Sequence, residues 1–331
     1  MTNTRGTASN RINLGIIGCG IAARELHLPA LRSLTDRFEI KAVCNHTEPK
    51  ARSFSRLIGG VPFVLDYHDL LARPDIEAVD IVLPIDLNYK VTLDALKAGK
   101  HVFLEKPLAA NLRDARKLLS LERRHREVTL MAENYRYQAV YRRVAYHITR
   151  KAIGKPYAAI WSLFSHLTTK NKYARTLWRV HHKYPGGFLT DAGVHNMAAL
   201  RLLFGELTVV DAFAKGINHG IGRTDTLSAR FRSAQNTEIL FNLYFSTAGH
   251  TESSLLIFGT EGTIEVRENR ISLKRTGNPV RQEAMVDDGG FKAEFMDFFD
   301  SIRNHRKPLS PFAEGYRDLH TILAALDAAG K

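Results

Sequence analysis

The chain has 331 residues, of which 44% are hydrophobic and 24% charged, and its formal net charge is +13. The length exceeds one typical hydrophobic core and predicts two domains, and the composition is typical of a globular protein. Its apolar runs are all shorter than the roughly 20 residues that span a membrane, and its basic residues are dispersed without a nucleic-acid recognition motif. We therefore expect anionic small molecules as partners, and neither nucleic acid nor a membrane.

The first residues of the chain and its cysteine content indicate the cellular compartment. Residues 1–11 are small and polar, which predicts a flexible N-terminal segment rather than a signal peptide. Cys19 and Cys44 are the only two cysteines, too few for a disulfide framework. This count is typical of a protein in the reducing cytoplasm, where we expect this chain.

Short apolar runs alternate with amphipathic stretches over residues 12–134, which is the pattern of a doubly wound parallel sheet. We predict strands over 12–17, 38–44, 78–83, 101–104 and 128–132. We predict helices over 25–34, 48–57, 87–98 and 112–125. This part of the chain is therefore predicted to form an α/β domain with a parallel sheet.

The pattern changes over residues 135–331, where stretches of period-2 alternation predominate. After a predicted helix at 139–151, we predict strands over 157–164, 209–213, 227–231, 238–245, 254–258 and 263–266. A helix is expected at 191–204, and a helical region over 291–328 is expected to pack back on the first domain. The second domain is thus predicted to be α/β with an open, mainly antiparallel sheet.

A glycine-rich loop, Gly18 to Ala23, directly follows the first predicted strand and opens a helix. Gly18 permits a tight turn, Gly20 lets the backbone approach a pyrophosphate, and Ala23 keeps the helix close to the sheet. Because a helix N-terminus attracts anions, we expect this loop to bind a dinucleotide. Its predicted contacts are Gly18, Cys19, Gly20, Ile21 and Ala22.

The end of the second strand indicates which dinucleotide is bound. An NAD site usually offers an acidic residue to the adenosine ribose at this point, but here Asn45 and His46 follow the strand. The nearest carboxylate is Glu48, and Lys50 could form a charge-assisted bond to a 2′-phosphate. NADP is therefore favoured over NAD, with the alternative that these polar residues only cap the next helix.

Glu105, Lys106 and Pro107 end the strand at 101–104. Proline fixes its own φ and disfavours a helical conformation for the residue before it, so Lys106 is held extended at the strand end. Ligands bind outside the carboxyl ends of strands in open parallel sheets, which makes Lys106 a candidate catalytic residue. The alternative is a solvated charge that ends a strand.

Asp191 and His195 are four residues apart, so they share one face of the predicted helix, and Gly193 between them leaves room for a ligand. Oxidation of an alcohol requires loss of the hydroxyl proton, which histidine can accept near neutral pH. Asp191 could orient the imidazole or the substrate. The alternatives are a helix-terminal carboxylate with a structural histidine, or two metal ligands, but further ligands are not evident and we expect no metal.

Together these motifs resemble the Gfo/Idh/MocA family of sugar and cyclitol oxidoreductases, over nearly the whole chain from Ile12. The resemblance also rests on Trp178-Arg179, on the Gly-Gly pair before Asp191, and on Gly-Thr-Glu-Gly-Thr at 259–263. It implies a Rossmann domain followed by an α/β domain whose open sheet forms homodimers or homotetramers.

The resemblance also implies roles for individual residues. Lys106, Asp191 and His195 would face the substrate and the nicotinamide as catalytic residues. The further cofactor contacts would be Leu83, Pro84, Ile85, Leu87, Asn88, Glu105, Lys106, Asn134, Trp178 and Arg179. Asn88 departs from the pattern, because many relatives carry histidine there.

The expected function is NAD(P)-dependent hydride transfer between the nicotinamide and a carbinol or keto carbon of a sugar or cyclitol-like substrate. His195 is the favoured proton acceptor and Lys106 would polarise the same oxygen, with an exchange of these roles left open. Two alternatives within the family are a non-catalytic dinucleotide-binding regulator and an NAD-dependent glycosidase with transient oxidation. Intact Lys106, Asp191 and His195 argue against the regulator.

Overall fold

A computed structural model describes residues 10–330, so the predicted flexible segment at residues 1–11 lies almost entirely outside the described residues. The described chain forms a six-stranded sheet and an eight-stranded sheet with helices packed on both. This confirms the predicted fold class, while the predicted division between residues 134 and 135 stays a prediction. None of the helices in residues 10–330 is long and apolar enough to cross a membrane.

The first sheet is parallel throughout, with the strand order β3-β2-β1-β4-β5-β6. Its strands are β1 (Ile12–Ile17), β2 (Phe38–Cys44), β3 (Phe63–Val64), β4 (Ala78–Ile81), β5 (His101–Glu105) and β6 (Thr129–Ala132). The helices are α1 (Leu28–Arg32), α2 (Glu48–Leu57), α3 (Tyr67–Leu71), α4 (Asn88–Lys97) and α5 (Leu112–Arg124). The short elements β3 and α3 were not predicted, and β4 ends two residues earlier than expected.

The helix predicted at 25–34 is instead a π-helical turn, Ala23–His27, followed by α1. Pro29 lacks an N–H group, and in an α-helix its ring would collide with the carbonyl four residues earlier. The Leu28 N–H group bonds to the carbonyl of Ala23, five residues back, which widens the turn ahead of the proline. The side chain of His27 is fully buried in this turn.

The second sheet has the order β14-β13-β12-β11-β7-β10-β9-β8, and only β7 and β10 pair in parallel. Its strands are β7 (Pro156–Phe164), β8 (Leu207–Lys215), β9 (Thr226–Ser233), β10 (Glu238–Tyr244), β11 (Glu252–Gly259), β12 (Gly262–Arg267), β13 (Arg270–Arg275) and β14 (Arg281–Ala284). The last two strands were not predicted, because Ile271 and Leu273 are the only large apolar residues in them.

Three helices accompany the second sheet: α6 (Ala139–Thr149), α7 (Leu177–Val180) and α8 (Phe188–Phe204). Helix α8 begins three residues before the predicted start, after Gly187, whose φ of 52° suits glycine. The N–H group of Asp191 bonds to the carbonyl of Gly187. Asp191 therefore lies in the first turn of α8 and His195 in the second.

The C-terminal region forms two helices, α9 (Phe291–Arg303) and α10 (Phe312–Ala329), rather than one helical stretch, because Pro308 and Pro311 interrupt it. Phe295 of α9 stacks on Phe103 of β5 with ring centroids 4.2 Å apart. Helix α10 packs against α8, β8 and α5. Helix α9 thus covers a face of the parallel sheet, and α10 packs against the helix that carries Asp191 and His195.

Candidate active site

The glycine loop has the shape that a dinucleotide pyrophosphate requires. Gly18 has a φ of 109°, and a Cβ at this position would collide with the carbonyl oxygen of Val82. A Cβ on Gly20 would meet nothing within 4 Å, so the space beside this glycine is open. The first N–H groups of the following helix lack intrahelical partners and can bind an anion. The residues present therefore fit a bound dinucleotide.

The predicted adenosine end of the site carries positive charge. Asn45 accepts a hydrogen bond from the Cys19 N–H group at 3.3 Å, while His46 and Lys50 are exposed. Arg24 was not among the predicted contacts, but its guanidinium donates to the carbonyl oxygens of Lys50 and Cys19 at 3.2 and 3.3 Å. Its only sequence signal was its position directly after the glycine motif.

The Glu-Lys-Pro turn is held by Asn88 from the start of α4. The side-chain amide of this buried residue donates to the carbonyl oxygens of Glu105 and Pro107 at 3.2 and 2.8 Å. The peptide bond between Lys106 and Pro107 is cis. Of the other residues predicted on this side, Ile85 is buried, Leu83 and Pro84 are half-buried, and Leu87 is 40% exposed. Asn88 thus positions the turn that carries Lys106.

Lys106 reaches across to the first turn of α8. Its ammonium Nζ lies 2.8 Å from the carbonyl oxygen of Asp191 and 3.1 Å from Asp191 Oδ1. Arg179 Nε donates to the other oxygen, Oδ2, at 2.8 Å, and its guanidinium lies 3.9 Å from the centroid of the Trp178 ring. Burial opposes ionisation of Asp191, but the two cations outweigh it and hold its pKa below the ordinary value. Asp191 is therefore an ionised bridge between the two domains.

His195 is oriented by a carboxylate that the sequence analysis missed. Its Nδ1 lies 2.5 Å from Oε1 of Glu133, which is fully buried. The ring of Tyr135 stacks on the imidazole with centroids 4.8 Å apart. Glu133 directly follows β6, so its place at the carboxyl end of a parallel strand was the available signal.

The side chain of Glu105 is hydrogen-bonded to a second histidine, His27. His27 Nε2 lies 3.3 Å from Glu105 Oε1, and His27 Nδ1 lies 2.8 Å from Oδ2 of the buried Asp80. Burial alone would lower the pKa of His27, but the two carboxylates outweigh it and raise that pKa well above the ordinary value. Since the imidazolium ion is favoured, it fixes the carboxylate that precedes Lys106.

The structure thus brings Lys106, Arg179, Asp191 and His195 together beside the carboxyl ends of β5 and β6. Asn134, also predicted to line the cofactor, is buried and donates to the carbonyl oxygen of Gly289 at 2.8 Å. This set combines an ammonium group, a guanidinium, an ionised carboxylate and an oriented imidazole. Such a set can bind an oxygen of a substrate and exchange a proton with it.

Comparison with known families agrees with this arrangement. Residues 12–133 match the model of the oxidoreductase family with an NAD-binding Rossmann fold, GFO_IDH_MocA. Residues 141–265 match the model of the GFO/IDH/MocA C-terminal domain. The two matches cover more than half of the chain.

Curated relatives match over most of their length. The chain is 31% identical to an uncharacterised Saccharomyces cerevisiae protein, YMR315W, over 90% of this chain and 89% of the relative. It is 26% identical to the 1,5-anhydro-D-fructose reductase of Ensifer adhaerens, over 95% of each protein.

Solved structures share the whole fold. A crystal structure of an oxidoreductase from Thermotoga maritima is 33% identical, with a TM-score of 0.92 over 97% of each chain. A levoglucosan dehydrogenase in complex with NADH and levoglucosan is 21% identical, with a TM-score of 0.88 over 97% of each chain. A 3-ketoreductase from Actinomadura kijaniata in complex with NADP and TDP-benzene is 22% identical, with a TM-score of 0.83 over 96% of this chain and 98% of that one. As its motifs predicted, the chain belongs to the Gfo/Idh/MocA family of NAD(P)-dependent oxidoreductases.

Proposed function

We propose that the protein is an NADP-preferring dehydrogenase or ketoreductase acting on a hydroxyl or keto group of a sugar or cyclitol-like substrate. The observation that carries this proposal is the pairing of Lys106 with Asp191 one helical turn from His195. The reductase and dehydrogenase names of the relatives point to the same class of substrate.

The hydrogen bonds of His195 decide which of its nitrogens is available. We propose that Glu133 accepts a hydrogen bond from the Nδ1–H group of His195, because a carboxylate can only accept hydrogen bonds. Nε2 then carries the lone pair. We propose that Nε2 takes the hydroxyl proton when a carbinol is oxidised and returns it when a carbonyl is reduced.

Lys106 has an unused donor for the same oxygen. An ammonium group has three N–H bonds, and two are directed at Asp191. We propose that the third donates to the substrate oxygen and stabilises negative charge that develops there. When bound, the dinucleotide supplies the hydride acceptor or donor, so that a carbinol loses one hydride and one proton to become a carbonyl.

The preference for NADP rests on the charge around Asn45. Glu48, the nearest carboxylate in sequence, is paired with Arg52, while the guanidinium of Arg24 contacts the backbone of Lys50, whose own side chain is exposed. A 2′-phosphate there would form charge-assisted hydrogen bonds, worth about 1.5–3 kcal/mol each. We therefore expect NADP to be favoured over NAD by roughly one to two orders of magnitude in affinity.

We also propose that the protein works in the cytoplasm as a homodimer or homotetramer formed through the second sheet. Its two cysteines, Cys19 and Cys44, are buried free thiols, which favours a reducing compartment. The outer face of the second sheet exposes the large apolar side chains Ile160, Phe213 and Leu240. A second copy could cover this face.

The experiment that tests the proposed function is a spectrophotometric screen at 340 nm. Sugars, inositols and glycosides would be offered with NADP⁺ and NAD⁺, and keto-sugars with NADPH and NADH. The proposal expects net absorbance change with at least one polyol or keto-sugar, faster with the phosphorylated cofactor. Glycoside cleavage without net absorbance change would indicate the glycosidase alternative, and cofactor binding without any turnover would indicate the regulator; both would contradict the proposal.

A further inference from the structure

Tyr184, in the segment between α7 and α8, has a buried hydroxyl group that the fold itself does not use. The residue is only 7% exposed, and its hydroxyl has no hydrogen-bond partner among residues 10–330. An unpaired buried hydroxyl costs roughly 1–3 kcal/mol, so phenylalanine would suit the isolated protein better. We therefore expect the hydroxyl to form a hydrogen bond with a ligand that binds to the protein.

Tyr184 lies beside the residues that hold Asp191: its ring centroid is 6.4 Å from that of Trp178, and the guanidinium of Arg179 lies over the same Trp178 ring. The electrostatic neighbours of the Tyr184 hydroxyl are Asp191 on α8, Arg179 on α7, and Asp86 in the turn that follows β4. That turn carries predicted cofactor contacts of the first domain, whereas Asp191 and Arg179 form the ionic bridge of the second, where the nicotinamide end is expected. The hydroxyl is thus packed beside the second set and within electrostatic range of the first.

The hydroxyl cannot readily be satisfied by these neighbours. Both carboxylate oxygens of Asp191 are engaged, Oδ1 by Lys106 and Oδ2 by Arg179. Burial, reinforced by Asp191, raises the pKa of the Tyr184 hydroxyl, so the group stays protonated at neutral pH and is available as a donor. The ligand group that complements this donor is therefore an oxygen that accepts a hydrogen bond.

The backbone around Tyr184 is fixed, so the hydroxyl is preorganised. His182 Nδ1 bonds to the carbonyl oxygen of Tyr184 at 2.7 Å, and the two rings lie 5.4 Å apart. Thr190 donates to the carbonyl oxygen of Pro185 at 2.7 Å and ties the next residue to α8. A hydroxyl held in this way loses little freedom when it binds a ligand.

We infer that the Tyr184 hydroxyl donates a hydrogen bond to an oxygen of the bound dinucleotide, at its nicotinamide end. This inference rests on the proposed function, because it requires that the protein bind NADPH or NADH. It adds a contact from the second domain that the family motifs do not identify. Tyr184 would then be a cofactor-binding residue that helps to hold the two domains around the dinucleotide.

The test compares Tyr184→Phe with Tyr137→Phe, a matched variant of another buried tyrosine. The Tyr137 hydroxyl bonds to Asp297 at 2.7 Å and thus already has a partner in the fold. NADPH and NADH would be titrated by fluorescence in the absence of substrate, and the melting temperature (Tm) of the ligand-free proteins would be measured.

For Tyr184→Phe we expect cofactor affinity to fall by about three- to tenfold, the value of one neutral hydrogen bond, while the ligand-free Tm stays equal or rises. For Tyr137→Phe we expect the reverse, a lower Tm with unchanged cofactor affinity.

Four results would overturn the inference. Unchanged cofactor affinity with a raised KM for the substrate would assign the hydroxyl to the substrate. Unchanged affinity with a lowered Tm would assign it to the fold. If the wild-type protein bound neither NADPH nor NADH, the proposed function itself would fail, whereas normal wild-type binding with an unaffected Tyr184→Phe variant would refute only the inference.

Discussion

Glu294, on the first turn of α9, is a fully buried carboxylic acid whose two oxygens have no hydrogen-bond partner in the described part of the chain. Burial raises its pKa well above the ordinary value of 4.5. The charged groups that face it are His27, which favours ionisation, and Glu105, Glu133 and Asp80, which oppose it. Glu294 is therefore protonated in the folded protein at pH values where it is ionised in the unfolded chain.

This difference predicts how stability depends on pH. Between pH 4.5 and the higher folded pKa, the native state binds one proton more than the unfolded state, so stability falls as pH rises, by about 1.4 kcal/mol per pH unit. Glu294→Gln removes this dependence while keeping the shape. The variant should therefore gain in Tm relative to wild type between pH 5 and pH 8. An equal difference in Tm at both pH values would contradict this account of Glu294.

Residues of the site differ in how far the sequence could reveal them. Lys106 precedes a proline at a strand end, and Asp191 and His195 share a helical spacing, so local patterns were sufficient to propose them as site residues. Glu133, which orients His195 from 62 positions away, and His27, which holds Glu105 from 78 positions away, are defined by tertiary contacts. Hydrophobic periodicity along the sequence reports only local structure. Contacts between residues this far apart can therefore be found only from the tertiary structure.

At the scale of elements, α8 is anchored to α10 by a buried ionic cluster. Asp318 on α10 is fully buried, and its oxygens accept from Arg136 at 2.6 Å and from Arg201 of α8 at 2.5 Å. Glu206 lies at the exposed end of the cluster and also contacts Arg201. Glu314, 24% exposed, also pairs with Arg201 at 2.8 Å, but Asp318 is the fully buried carboxylate of the cluster. Because removing the buried partner leaves buried positive charge only partly compensated, Asp318 is the critical member.

We expect Asp318→Asn to destabilise the protein by about 3–5 kcal/mol, because two buried guanidinium groups would lose their shared carboxylate. Glu206→Gln, at the exposed end, should cost less than about 1 kcal/mol. Chemical denaturation of both variants and wild type measures the difference. Equal losses would show that burial does not set the strength of this cluster.

The elements themselves were predictable where periodicity was strong. Five of the six strands of the parallel sheet and the helix at 48–57 follow from continuous apolar runs and amphipathic spacing. The π-helical turn, by contrast, forms because the ring of Pro29 would collide with the carbonyl four residues earlier in a regular α-helix. Strand β14 has the sequence Arg-Gln-Glu-Ala and forms through pairing with β13, so its own residues gave no strand signal.

At the scale of the whole molecule, the second sheet has one face packed on helices and one face outward. On the outer face, Leu240 pairs with Ile160 of the neighbouring strand, and Leu256 lies beside Ile160 on the other side. Leu240 is 45% exposed and Phe213 is 55% exposed. Contiguous exposed apolar side chains of this kind are typical of protein–protein interfaces.

If this face forms the proposed homo-oligomer, Leu240→Glu should convert it to monomers, because a buried unpaired carboxylate is costly. Val286→Glu is the matched control, since Val286 is 94% exposed and lies outside the sheet. Light scattering coupled to size-exclusion chromatography reports the mass. A wild-type protein with the mass of one chain, or a Leu240→Glu variant that stays oligomeric, would contradict the proposed interface.

Lys106 is proposed to act on the substrate oxygen beside a bound nicotinamide. Single-turnover absorbance at 340 nm, with the best substrate from the screen and saturating NADP⁺, tests this proposal in Lys106→Met. Loss of the ammonium group should slow the reaction by about 10²- to 10⁴-fold, while NADPH still binds as in wild type. Lys97→Met, which changes an exposed lysine on α4, should react like wild type. A Lys106→Met protein that binds NADPH and reacts at the wild-type rate would contradict the account.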